Sequence, residues 1–337
     1  MRPEKCVHYR WIFCYCCVLL FALVPSVSQA AGYRVVEANG IEAGVWYPSD
    51  AATSLQRLGP FEANMALDAP IKDGQFKVVL FSHGVGGRYR NHFHTAKALA
   101  DAGYIVVAPN HRADRWIDGP KRAQVLDDRY LALQKSLEWV QNEADFIPHI
   151  DASKVHGVGY SLGGATIMLA SGAGFSSTIV DEHCHANAHI DAEFCDGPGF
   201  VFRVIQFFRD SPVLRPTTDP FRHSGFITGA TVLVAPVYQG LDLAQGLSMA
   251  NLSVISIDTD VITKPKFHAR PLFKAAKQYV PAKFSSLEGH HYGFIAPFPK
   301  WLTDEEDIPI AKDPEGFNRL AFIEEVNSLI IDALMIP

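Results

Sequence analysis

Residues 155–172 read VHGVGYSLGGATIMLASG, and the parsing of this stretch decides the fold. Val155 to Tyr160 is a short strand-like run, and Leu162 to Ala170 is small and apolar with the spacing of a buried helix. The order is therefore strand, sharp turn, helix. Ser161 occupies the turn inside Gly-Tyr-Ser-Leu-Gly, where a Cβ at Gly159 or Gly163 would obstruct so tight a reversal. The serine hydroxyl is then presented above a sheet, and the helix behind it aims its N-terminal amides at any anion forming there. A bare five-residue match also describes a glycine-rich loop; the flanking strand and helix are what mark Ser161 as a candidate nucleophile.

Upstream, Phe76 to Phe81 is a continuous apolar run that ends in Ser82-His83-Gly84-Val85-Gly86-Gly87. A strand apolar on both faces belongs in the middle of a parallel sheet. His92 to Ala102 has helical spacing and stops at Gly103, Ile105 to Ala108 is a second buried strand, and a long helix is predicted from about Lys121 to Glu143. The loop 110–119, NHRADRWIDG, joins that strand to that helix. Nearer the N-terminus, Tyr33 to Ala38 and Ile41 to Tyr47 flank Asn39-Gly40, a hairpin signal, and are expected as edge strands. Pro48 to Gln75 reads as a polar connection. Downstream, Thr231 to Ala235 and Ser253 to Ile257 resume the strands, and a last helix is predicted over Phe317 to Leu334.

This alternation predicts an α/β fold, a mostly parallel doubly wound sheet with helices on both faces and ligands at the carboxyl ends of its strands. The pattern lapses over 172–229, which predicts an inserted lid after the serine-bearing helix. Its aromatic run, Phe200 to Phe208, suits an acyl-binding wall or the apolar underside of the lid. With no repeat and no linker, residues 31–337 are expected to form one domain.

Residues 1–30 differ in kind. Arg2, Lys5 and Arg10 precede an apolar run from Trp11 to Val24, and Ser28-Gln29-Ala30 has the small-x-small form of a cleavage site. The run is short of the ~20 residues that span a bilayer, so a cleaved signal peptide is expected, with secretion or periplasmic export and no stable membrane span. Cleavage removes three basic residues and Glu4, taking the formal charge from −6 to −8. An acidic chain has no basic face for nucleic acid. Cys184 and Cys195 are the two of six cysteines that remain, and in an oxidising compartment they are expected to pair. His183, His185, His189 and Asp191 surround Cys184 in sequence but match no zinc-ligand spacing, so no metal is expected. Gly84, Gly86 and Gly87 precede no Lys-Ser/Thr, so there is no phosphate-cradling loop and no cofactor is expected.

A serine hydroxyl needs a base to take its proton and an acid to orient that base. After Ser161, Ile257-Asp258-Thr259-Asp260 offers two carboxylates at a strand end. Asp260 is favoured, because it lies far enough past the strand for a loop to bring it over the sheet; Asp258 is the alternative. Glu288-Gly289-His290-His291-Tyr292-Gly293-Phe294 offers two imidazoles, of which His291 is favoured because Phe294 can anchor its loop; His290 is the alternative. The oxyanion would be met by the amides of Leu162 and Val85. His83 reads as a structural residue of the oxyanion loop.

The motifs VVLFSHGVGG, HTAKALADAGYIVVAPNHRAD, VHGVGYSLGG, DTDVITKP and GHHYGF together resemble α/β-hydrolases. Within them the chain is most similar to the bacterial secreted proteins called predicted dienelactone hydrolases, and more faintly to platelet-activating-factor acetylhydrolases. The resemblance covers nearly all of 31–337 and implies the α/β-hydrolase fold, with Ser161 as nucleophile, His291 as base, and Val85 and Leu162 as oxyanion donors. Dienelactone hydrolases proper carry a cysteine nucleophile where this chain has Ser161. In the acetylhydrolases the acid follows the preceding strand, which here ends Ala235-Pro236 with no carboxylate before Asp242. The expected activity is that of a secreted serine hydrolase of carboxylic esters, on a small-molecule or lipid-like ester. An amidase or peptidase with the same triad and a catalytically inactive binding protein on the same scaffold are the alternatives.

Overall fold

The computed structural model describes residues 30–38, 40–112, 121–196, 216–305 and 309–336. The expected signal segment, Asn39, most of loop 110–119 and the run Phe200 to Phe208 lie outside the described residues. In chain order the strands are β1 (Ala30–Ala38), β2 (Ile41–Ser49), β3 (Ser54–Leu58), β4 (Phe61–Leu67), β5 (Phe76–Ser82), β6 (Tyr104–Pro109) and β7 (Ile150–Tyr160). They are followed by β8 (Gly174–Phe175), β9 (Phe221–Arg222), β10 (Ala230–Val234), β11 (Leu241–Asp242), β12 (Asn251–Ile257) and β13 (Ala282–Leu287). The helices are α1 (Phe93–Asp101), α2 (Arg122–Asn142), α3 (Leu162–Ala170), α4 (Ser177–Asn187), α5 (Ala192–Cys195), α6 (Ala269–Ala276), α7 (Lys300–Glu305) and α8 (Arg319–Leu334).

One large sheet runs β13-β12-β10-β7-β5-β6-β2-β1-β4-β3. From β13 to β6 every neighbouring pair is parallel, whereas β2 pairs antiparallel with both β6 and β1. Alternation along β5 divides the core. Val78 and Leu80 join α2, α3 and α6 on one face, while Val79 and Phe81 join α1 and α8 on the other. The molecule is thus α/β, with helices on both faces of a mostly parallel sheet. No helix among the described residues is long and apolar enough to cross a membrane.

Three expectations are corrected. The β1–β2 hairpin forms, but it is not an edge, because the span 48–75 expected as a connection contains a second hairpin, β3–β4, that lies outside it. That hairpin turns at Gly59, at φ 66°, and buries chiefly Leu58, Phe61, Met65 and Ala66, so its many exposed residues mask the strand pattern. The edge strand β13 was also not anticipated, since AKFSSL is half exposed. Lastly, the span 172–229 is partly body rather than lid. β8 pairs antiparallel with β9 and β11, and Phe175, Val180, Phe221 and Ile227 are buried in the core beside α3.

Several histidines lie inside this framework. His156 accepts the Ala230 amide at Nδ1, and burial lowers its pKa to about 4; His92 donates from Nδ1 to the Phe294 carbonyl, and burial lowers its pKa to about 3. In the unfolded chain both protonate near pH 6.5. Below that value the unfolded state binds more protons than the folded one, so stability is full above pH 6.5 and declines as pH falls toward 4. We expect the urea midpoint to drop between pH 7 and pH 4.5, with His156 accounting for about 2 kcal/mol. His156→Gln should flatten this decline, and an unchanged slope would refute the assignment.

Candidate functional site

The site starts from a strained backbone. Ser161 follows β7 with φ 54° and ψ −122°, a region that non-glycine residues seldom occupy. The surroundings hold it there: the Ser161 amide donates to the Val234 carbonyl, and the Ser161 carbonyl accepts from the amides of Gly164 and Val237. The flanking glycines are needed for close approach. A Cβ on Gly159 would stand 2.5 Å from the Gly163 carbonyl oxygen, and one on Gly163 would stand 1.9 Å from that of Ser82. The start of α3 is thereby pressed against the end of β5.

His291 comes from the loop after β13, and Asp260 from the loop after β12. His291 Nε2 lies 3.0 Å from Ser161 Oγ, and His291 Nδ1 lies 2.7 Å from Asp260 Oδ2. All three are buried. An Nδ1–H donated to the carboxylate leaves Nε2 as the acceptor facing the serine. Asp260 has every acceptor used, Oδ1 taking the amides of Ile262 and Thr263 at 2.8 and 2.9 Å and Oδ2 taking the Thr263 hydroxyl at 2.7 Å. Burial alone would raise its pKa; His291 and the Thr263 hydrogen bonds outweigh that and hold it below the ordinary carboxylate value.

The alternatives lie elsewhere. Asp258 accepts a hydrogen bond from Ser286 Oγ, and His290 Nε2 pairs with Asp313 at 3.0 Å. The register of β12 and the turn at His291 separate neighbours that the sequence places side by side. Phe294 is buried against His92 and Tyr160, which secures the histidine loop.

Two further residues belong to the site. The Tyr160 hydroxyl donates to the His291 carbonyl at 2.7 Å, tying His291 to the strand that precedes Ser161. Thr263 braces the carboxylate and stands 3.4 Å from His291 Nδ1. The sequence hinted at Tyr160 by its place next to Ser161, whereas Thr263 carried no signal beyond standing three residues after Asp260.

The residues expected to meet an oxyanion stand on two elements. Leu162 opens α3, in the first turn where amides have no preceding helical carbonyl. Val85 lies in the loop after β5, whose Gly84 is packed so closely that a Cβ there would stand 3.3 Å from Ser161 Cβ. The Gly87 amide donates to the Gly84 carbonyl at 3.2 Å and closes this loop as a turn. His83 is buried, and burial pushes its pKa well below 6.5. Its neutral ring donates from Nδ1 to the Gly84 carbonyl at 2.7 Å and accepts the His111 amide at Nε2.

Cys184 and Cys195 form a disulfide with Cα atoms 5.4 Å apart, stapling α4 to α5. Beside it, His183 Nε2 lies 2.8 Å from the buried Asp191, and His268 Nε2 lies 3.5 Å from the same oxygen. His183 Nδ1 faces the Asn187 amide nitrogen and His268 Nδ1 accepts the Tyr238 amide, so both rings carry their proton on Nε2, toward the carboxylate. The cluster is a carboxylate clamp between α4 and the start of α6. His185 and His189 take no part in it.

No family model matches the chain, and no curated protein matches it with significant similarity.

Gly163→Ala should prevent the elbow from closing on β5. We expect a loss of several kcal/mol, of the order seen for overpacked cores, or failure to fold. A urea midpoint within error of the parent would refute the close-approach argument.

Proposed function

We propose that the chain is an α/β-hydrolase acting as a serine hydrolase of carboxylic esters. The observation that carries this reading is the continuous hydrogen-bonded line from Ser161 Oγ through His291 to Asp260. In the proposed cycle His291 Nε2 takes the hydroxyl proton as Ser161 Oγ attacks the ester carbonyl carbon. The carbonyl oxygen becomes an anion held by the amides of Val85 and Leu162. Collapse of the tetrahedral species expels the alcohol, which leaves with the proton from His291, and an acyl-enzyme remains. Water, deprotonated by the same nitrogen, then releases the acid. Asp260 stays ionised throughout and stabilises the imidazolium; its lowered pKa suits that role.

The same reading takes residues 1–30 as an export signal, and the disulfide Cys184–Cys195 fits an oxidising compartment. It also takes the part of 172–229 that departs from the sheet as a lid over the serine. The substrate proposed is a small-molecule or lipid-like ester, with no metal or cofactor in the cycle.

Ser161→Ala should lower kcat for p-nitrophenyl acetate by about 10⁴-fold or more, and Asp260→Asn by a smaller factor, since the orienting acid contributes less than the nucleophile. His290→Gln and Asp258→Asn should leave kcat within about threefold, because each changes a surface group outside the line. A matched ester and anilide pair tests bond preference, with the ester expected to turn over faster. Folded protein that resists a fluorophosphonate, or Ser161→Ala at full activity, would overturn the proposal and favour a binding role.

A further inference from the structure

The two amides proposed to hold the oxyanion belong to different elements, the loop after β5 and the first turn of α3. Their relative position has to be held to a fraction of an ångström for both to reach one oxygen. Arg129, on α2, touches both elements. Its side chain is fully buried, which is rare for arginine and requires hydrogen bonds to the guanidinium.

Among the described residues, those bonds run in two directions. Toward α3, Arg129 Nε donates to Thr166 Oγ1 at 2.8 Å, and the Thr166 hydroxyl in turn donates to the Leu162 carbonyl at 3.1 Å. Toward β5, Arg129 Nη2 donates to the His83 carbonyl and lies 3.4 Å from Ser82 Oγ. The guanidinium is planar and forked, so the directions of its N–H groups are fixed relative to one another. One rigid group thus bridges the Leu162 turn and the peptide two residues before Val85.

The rest of this corner supports the same arrangement. Ser82 Oγ lies 3.0 Å from His111 Nε2, and burial, then the nearby Arg129 charge, push both His83 and His111 well below their ordinary pKa. Neutral rings keep the hydrogen bonds that shape the loop.

We infer that Arg129, acting through Thr166 and the His83 carbonyl, is a positioning residue that pre-assembles the oxyanion site. The inference rests on the serine-hydrolase reading. Its expected signature is a loss in kcat with KM nearly unchanged, because the group acts on the tetrahedral state rather than on bound ester.

The experiment compares Thr166→Val, Thr166→Ser and Arg129→Lys with the parent. Each is assayed on p-nitrophenyl acetate and titrated with an aryl trifluoromethyl ketone. The ketone bonds its carbonyl carbon to Ser161 Oγ, sends the serine proton to His291 and leaves its oxygen as the oxyanion. Thr166→Val, nearly isosteric, should lower kcat about tenfold and weaken ketone binding by the same factor, with KM within twofold; Thr166→Ser, which keeps the hydroxyl, should restore both. Arg129→Lys keeps the charge without the fork and should lose about 100-fold in kcat, of the order seen for one oxyanion donor. Because Arg129→Lys can fail to fold, the Thr166 pair decides the matter on its own. A Thr166→Val enzyme that melts lower yet keeps parental kcat and ketone affinity would overturn the inference. A parent that neither turns over the ester nor reacts with the ketone would instead overturn the serine-hydrolase reading beneath it.

Discussion

The structure depends on one close approach, that of the first turn of α3 to the end of β5. Gly163 meets the Ser82 carbonyl with no room for a Cβ, and this contact forces Ser161 into its positive-φ conformation. Strain of about 1–3 kcal/mol at one residue persists only where the surroundings over-determine it. Here β7 and β5 are central strands, paired on both sides and buried, so the turn between β7 and α3 cannot relax without disturbing the sheet. The serine is held in place by core packing rather than by any contact of its own side chain.

Asp260 and His291 are carried on loops, and loops need separate means of being fixed. The Asp260 loop folds back on its own carboxylate through the amides of Ile262 and Thr263, and the Thr263 hydroxyl also lies 3.0 Å from the Ala235 carbonyl, at the end of β10. The His291 loop is held by the Tyr160 hydroxyl and by Phe294 packed on His92. Each of the three groups is therefore referred back to the same run of parallel strands. A carboxylate with all its acceptors used is costly to protonate, which keeps the orientation of His291 stable as the solution changes.

The segment between α3 and β10 is tied to the site from its far side. The disulfide holds α4 against α5, and Asp191, which precedes α5, receives His183 from α4 and faces His268 at the start of α6. Lys264 Nζ donates to the Ile190 carbonyl at 2.5 Å, joining the same segment to the loop that carries Asp260. These links couple an irregular stretch to the residues just beyond Asp260. They also account for His183 and Asp191, two polar side chains whose sequence spacing matched no ligand pattern.

How much of this was legible depended on how local each signal is. Strand, turn and helix around Ser161 were readable because the elbow is built from adjacent residues, and the apolar runs of β5, β6, β10 and β12 are short buried strands whose composition alone marks them. The β3–β4 hairpin and β13 were missed because half-exposed edge strands bury too few residues to show a period. The preference for Asp260 over Asp258 and for His291 over His290 could be stated from the sequence only as loop length and a nearby phenylalanine. Tertiary structure separates both pairs, since neighbouring residues diverge in direction: His291 faces Ser161 and Asp260 faces His291, whereas Asp258 and His290 bond elsewhere. Thr263 had only its place three residues after Asp260 to mark it, while Arg129 and His268 had no sequence signal, because each acts on a partner that the chain brings near only by folding: two elements bridged from a third helix, and a buried clamp closed from 77 residues away, between His268 and Asp191.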